Sequence, residues 1–221
     1  ENGINLDGGG GMVWVKKRNG GGSHYLFDTE RGAGKGLRTH GNFAEYDYGS
    51  SSGFNHQFTS TGFSFNTSDG AVNNGDDFVS WSFRKQPKFF DIVTYTGTGS
   101  AQNISHNLGS VPGMIIVKQT SGTKEWRIYH RGLDSSSPEG YYIVLNSTNA
   151  RVDSVASFNN TAPTSTVFSV GASTPTNQSG ETYVAYLFAH NNNDGGFGEP
   201  GDQDIIKCGS YTEVNGSDVK V

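Results

Sequence analysis

One short phrase occurs twice in this chain, and the repetition limits the fold more than any composition does. Gly10-Gly11-Met12-Val13-Trp14-Val15-Lys16-Lys17 returns as Val111-Pro112-Gly113-Met114-Ile115-Ile116-Val117-Lys118. Each copy runs Gly-Met, then three large apolar residues, then Lys. A run of β-branched and large apolar residues, bounded by Gly or Pro before it and charge after it, reads as a buried strand. Finding it twice implies a chain built from repeats.

Other stretches fall into the same two series. The strand-like His24–Asp28 matches Trp126–His130, and Phe63-Ser64-Phe65 matches Phe168-Ser169-Val170. Phe78-Val79-Ser80-Trp81-Ser82-Phe83 matches Tyr183-Val184-Ala185-Tyr186-Leu187-Phe188 position by position. A period of two places Val79, Trp81 and Phe83 on one wholly apolar face, expected to point inward. Trp81, Trp126, Phe168 and Tyr186 are therefore expected to be buried.

The two copies differ in how they begin. Asp91-Ile92-Val93-Thr94-Tyr95-Thr96 precedes the second copy, whereas only a Gly-rich lead precedes the first. Asp204–Thr212 resembles that opening segment, with an insertion. The reading is a first repeat over 1–88 lacking its opening strand, and a second over 89–190. Residues 191–221 are a linker and the opening strand of a third repeat, or a donated strand. Units of roughly 100–115 residues are domains in their own right, unlike the shorter modules of a solenoid. A missing strand leaves an open sheet edge, which is sticky. Asp204–Val221 could fill it within this chain or in a neighbouring subunit; otherwise the chain is a piece of a longer array.

The fold expected is all-β, with tandem antiparallel β-sandwich units related by a pseudo-twofold repeat. These form either two sandwich domains or two halves packed as one larger sandwich. Composition agrees: only 33% of residues are apolar while 32 are Gly, which suits short strands joined by many turns. A net charge of −5 with scattered Lys and Arg offers no basic face for nucleic acid. No apolar run approaches the ~20 residues of a membrane span. Cys208 is the only cysteine, so an intrachain disulfide and a multi-cysteine zinc site are both excluded.

Residues 40–58 lack clean periodicity and carry Phe43, Tyr46, Tyr48, Phe54, His56 and Phe58 among Gly, Ser and Asn. Loops on a rigid β scaffold carry function, and aromatic faces stack on sugars. Phe43, Tyr46, Tyr48, Phe54 and His56 are the candidate ligand-binding residues; the alternative is that these rings cap the core.

Patterns for chemistry are weak. Gly32-Ala33-Gly34-Lys35-Gly36 hints at a phosphate loop, but Thr29 and Gly36 stand where that motif needs Gly and Ser or Thr. Gly49-Ser50-Ser51-Ser52-Gly53 fits a nucleophile elbow only formally, without the strand before it and helix after it. The six histidines show no metal-ligand spacing. Asp76-Asp77 and Asn191–Asp194 are oxygen-rich loops without the register of a calcium loop, so turn chemistry is favoured over a loop calcium site. No catalytic residue, metal site or cofactor is expected.

The second copy carries a likeness. It reads Asp91–Gly99, His106–Lys118, Trp126–His130, Leu145-Asn146, Ala162–Val170 and Gly180–Phe188. This pattern resembles a repeat domain of unknown function found in virion structural and tail-fibre-like proteins of marine tailed phages. The resemblance implies an exposed virion or extracellular location and supplies no catalytic residues. The function expected is a non-enzymatic structural subunit that self-associates as a homo-oligomer or filament. The alternative is a receptor- or glycan-binding module whose partner is a host surface glycan. Neither nucleic acid nor membrane insertion is expected.

Overall fold

A computed structural model describes residues 2–47, 56–65 and 75–213 of the chain. Five strands of the first repeat form one antiparallel sheet: β1 (Gly11–Lys17), β2 (His24–Asp28), β3 (Lys35–Arg38), β4 (Tyr46–Asp47) and β7 (Phe78–Arg84). Their order is β4-β3-β2-β1-β7. Between β4 and β7 the chain makes a two-stranded ribbon of β5 (His56–Thr59) and β6 (Gly62–Phe65).

The second repeat forms a six-stranded sheet. It contains β8 (Phe90–Thr96), β10 (Pro112–Gln119), β11 (Arg127–His130), β12 (Tyr141–Val144), β13 (Val152–Asp153) and β15 (Thr182–Ala189). Their order is β13-β12-β11-β10-β15-β8. β9 (Gln102–Ser105) and β14 (Val167–Val170) make its ribbon, and two single-turn helices, α1 (Val155–Phe158) and α2 (Thr174–Asn177), flank it. The all-β expectation holds, and Phe78–Arg84 and Thr182–Ala189 are strands.

The two sheets pack face to face. Met12, Leu26 and Leu37 of the first meet Ile92, Ile116, Trp126, Tyr186 and Phe188 of the second in a common core. Alternation sends the intervening residues outward. Val13 and Val15 lie under Phe58, Phe63 and Phe65 of the β5–β6 ribbon and beside Leu6. Ile115, Val117 and Leu187 lie under Ile104 and Phe168 of the β9–β14 ribbon and under Phe158 of α1. The result is four layers, ribbon-sheet-sheet-ribbon, with apolar side chains in all three gaps. Of the two arrangements open to the sequence, the structure adopts one larger sandwich.

Register shows how closely the halves correspond. β1 and β7 pair Met12 with Phe83, Trp14 with Trp81 and Lys16 with Val79. β10 and β15 pair Met114 with Phe188, Ile116 with Tyr186 and Lys118 with Val184. The repeated Gly before Met has a steric cause in each half. A Cβ on Gly11 would meet the Phe83 carbonyl at 2.2 Å, and one on Gly113 would meet Cys208 Sγ at 2.8 Å. The repeated Lys diverges: Lys16 reaches the Gly22 carbonyl at 3.4 Å, whereas Lys118 is wholly buried. Its Nζ donates to the carbonyls of Gln119 (2.6 Å) and Gly122 (3.1 Å), and burial lowers its pKa to about 8.

Trp81 corrects one expectation. Trp126, Phe168 and Tyr186 are buried, but Trp81 is 50% exposed and Val79 is 40% exposed. Only Phe83 of that apolar face reaches the core between the sheets. The cause lies in the neighbouring strands. Tyr186 lies between Ile116 on β10 and Ile92 on β8, and is 0% exposed. Trp81, at the matching register position, has Trp14 on one side and no strand among the described residues on the other.

The two repeats build their ribbons from different segments. In the second repeat β14 pairs with β9, which comes from the opening segment. In the first, β6 pairs with β5, drawn from residues 40–58. That stretch is therefore partly strand rather than a continuous loop. No described strand takes the place of β8. Residues 204–213 carry no strand and fold back on the second repeat, where Cys208 N donates to His190 Nδ1 at 3.1 Å. The described part of that segment thus leaves β7 uncovered.

A buried polar cluster ties the sheets together. Tyr186 donates to Asp28 Oδ2 at 2.6 Å, and Arg31 Nε donates to the same oxygen at 2.6 Å. Arg31 also pairs with Glu45 at 2.9 Å and donates to the Leu26 carbonyl at 3.1 Å. Burial disfavours the Arg31 charge, but Asp28, Tyr186 and Glu45 outweigh it and hold the pKa above the ordinary value.

Candidate functional site

Phe43 and Tyr46 are exposed, at 41% and 43%. The loop carrying Phe43 is fixed at its base, because Trp126 Nε1 donates to the carbonyls of Arg38 (3.3 Å) and Gly41 (3.1 Å). The Arg38 guanidinium lies 5.1 Å from the Phe43 ring centre, and His40 lies 5.5 Å from it. Tyr46 is held on β4 opposite Gly36. These rings offer flat apolar faces on a rigid support, with a cation and an imidazole nearby. Tyr48 and Phe54 lie outside the described residues.

His56 does not belong with them. It is 0% exposed, under the first sheet, with ring centres of Phe27 and Phe58 at 4.6 and 4.4 Å. Its Nδ1 accepts from Gly34 N at 3.0 Å, so the proton of the neutral ring sits on Nε2. Burial, and then Arg31, lower its pKa to about 4. It is a core residue that anchors the Gly32–Gly36 turn. That turn leads into strand β3 instead of a helix, and Lys35 lies 3.7 Å from Glu45. The nucleophile-elbow pattern at 49–53 lies outside the described residues.

A second surface had no sequence motif. The ends of β10, β11 and β15 converge, with Pro112 opposite Ala189 and Met114 opposite His130. Just beyond them lie two adjoining depressions of about 590 and 520 Å³ that share Arg131, Asp134, Ser135 and His190. Arg131 is exposed, and its guanidinium has no hydrogen-bond or ion-pair partner among the described residues. Arg151 pairs with Asp134 at 3.0 Å and lies 4.3 Å from the Tyr141 ring centre. Backbone bonds from Ser136 and Ser137, followed by Arg151, hold the Asp134 carboxyl below its ordinary value. A free guanidinium beside carboxylates and hydroxyls can hold a hydroxyl-rich or anionic ligand by directed hydrogen bonds. The signal was spatial: Arg131 and His190 are 59 residues apart and meet only because β11 and β15 both flank β10.

Cys208, at the edge of that cleft, is not an activated nucleophile. Burial pushes the Cys208 thiol up to about 11, and its Sγ lies 3.4 Å from the Ala189 carbonyl. His190 Nδ1 accepts from the Cys208 backbone N–H at 3.1 Å. The oxygen-rich loops are also engaged. Asp76 pairs with Lys17 at 2.9 Å and Asp77 with Arg18 at 3.3 Å. Asp194 accepts from Asn192 N at 2.8 Å, and Asp204 accepts from Asn193 N at 2.9 Å. Among the described residues, no three His, Cys, Asp or Glu side chains gather to hold a metal ion, and no helix is long and apolar enough to cross a membrane.

The third surface is the β7 edge. Val79 and Trp81 are exposed there, and the Trp14 and Trp81 ring centres are 6.0 Å apart. At the matching edge of the second sheet, β8 pairs with β15 from Phe90↔Phe188 to Thr96↔Thr182.

A family model described as a domain of unknown function, DUF7483, matches residues 3–204 and so spans both repeats. No curated protein and no solved structure matches the chain.

Proposed function

The chain belongs to the DUF7483 family, and we propose that it is a non-enzymatic structural unit of a virion or extracellular appendage. In this reading it assembles through its β surfaces into a homo-oligomer or filament. The observation that carries it is the β7 edge. Among the described residues the first sheet has five strands where the second has six, and none stands in the place of β8. An edge of this kind presents unpaired N–H and C=O groups to any extended segment. Here it also presents Val79 and Trp81, which an added strand would help cover. β-strand addition supplies affinity through the main chain and specificity through alternate side chains. The experiment is association measured against concentration for the native chain and for Trp81→Lys, which places a charge on the edge.

A second reading rests on a different observation, the exposed Phe43 and Tyr46 rings on their braced segment. They suit a host surface glycan, whose sugar faces stack on aromatic rings. Glycan-array binding lost in both Phe43→Ala and Tyr46→Ala supports this reading, and binding unchanged in both excludes it. The two readings are compatible in one appendage.

A further inference from the structure

We propose that the gap between the two sheets is a binding site for a small, neutral, apolar molecule about the size of one aromatic ring. A cavity of about 160 Å³ lies there. Protein interiors seldom leave a void much larger than a water molecule. Its walls come from matching positions of the two repeats: Met12 and Met114, Trp14 and Ile116, Phe83 and Phe188.

The chemistry of the walls defines the ligand. Four lining side chains carry N–H or O–H groups, those of Trp14, Thr39, Trp126 and Tyr186; three of them spend their donor elsewhere, and the Thr39 oxygen is engaged by Trp14. Trp14 Nε1 donates to Thr39 Oγ1 at 3.2 Å, and Trp126 Nε1 to the Arg38 and Gly41 carbonyls. The Tyr186 hydroxyl donates to Asp28. A buried water needs two to four polar partners, and an apolar cavity of about 150 Å³ stays dry and takes benzene or xenon. The cavity therefore favours aromatic or short alkyl groups over molecules with a hydroxyl or charge.

Entry and fit also have structural sources. Trp14, Phe83, Met114 and Leu145 are only partly buried, so one side of the cavity lies near solvent. Met12 and Met114 face it from opposite sheets. Unbranched thioether side chains adapt to an irregular guest at little cost and contact aromatic rings favourably. A cavity shared by both sheets also couples the ligand to their packing, because anything that binds only the folded state stabilises it.

The test uses toluene, phenol and xenon with the full chain. Toluene is expected to raise the melting temperature and to perturb the fluorescence of Trp14 and Trp126, with phenol at least tenfold weaker. Ile116→Phe, which fills the cavity from the second sheet, is expected to weaken toluene binding at least tenfold. Should that variant fail to fold, Leu145→Phe gives the same reading from the turn that follows β12. Xenon in a pressurised crystal is expected between Met12 and Met114. Absence of toluene binding, equal binding in the filled variant, or xenon density only elsewhere would overturn the proposal. So would affinity that varies with protein concentration, which would assign the space to a second copy of the chain.

Discussion

The Tyr186 hydroxyl and the Asp28 carboxylate meet at 2.6 Å across the two sheets, and both side chains are 0% exposed. The contact joins residues 158 positions apart and closes the larger sandwich around Arg31. Removing either end should loosen the docking of the repeats, but to different extents. Tyr186→Phe leaves Asp28 bonded to Arg31 and should cost about 1.5–3 kcal/mol, a typical value for one hydrogen bond to a charged group. Asp28→Ala leaves the buried Arg31 cation with Glu45 as its one remaining carboxylate and should cost more, up to about 3–5 kcal/mol. Urea unfolding of both variants checks the order, and equal small losses would show that the cluster is peripheral.

His56 gives stability a pH dependence. Its folded pKa is lowered to about 4, by burial first and then by Arg31, from the ordinary 6.5. Between these values the unfolded chain binds the proton and the folded chain does not, so stability falls as pH falls. The contribution is present above pH 6.5 and is lost on the way down to about pH 4, amounting to about 3 kcal/mol at a limit of 1.36 kcal/mol per unit. Carboxylates titrate over the same range, so the informative quantity is a difference. The stability of the native chain relative to His56→Phe should decline as pH drops from 6.5 to 4, and a flat difference would contradict the assignment.

Cys208 should resist thiol reagents in the folded chain. It is 8% exposed, and burial raises its pKa to about 11, so little thiolate exists at neutral pH. Labelling by a chromogenic disulfide is expected only as the chain opens. Prompt labelling would show that residues 204–208 do not stay docked over Gly113.

Much of this fold was legible in the sequence because strands announce themselves by alternation and repetition. Met12 and Met114, or Phe83 and Phe188, match in the sequence and again in the register of the sheets. What failed were statements that depend on a neighbour. Trp81 reads like Tyr186, yet its burial is decided by whether a strand lies beside it. His56 reads as a loop polar group, yet β5 folds it beneath Phe27 and Phe65. Phe43 and Tyr46 were found by their residue type and remain at the surface. The Arg131 cleft was invisible because its residues come from the ends of strands distant in sequence. The central cavity was invisible for the same reason, since a gap between sheets has no sequence pattern.

The β7 edge is the centre of the functional account, and sedimentation velocity over a concentration series tests it most directly. The native chain should associate as concentration rises. Trp81→Lys should remain monomeric and folded, with stability lowered by about 1–2 kcal/mol through loss of the contact with Trp14. A native chain that stays monomeric throughout, or a Trp81→Lys chain that associates equally well, would contradict assembly through this edge.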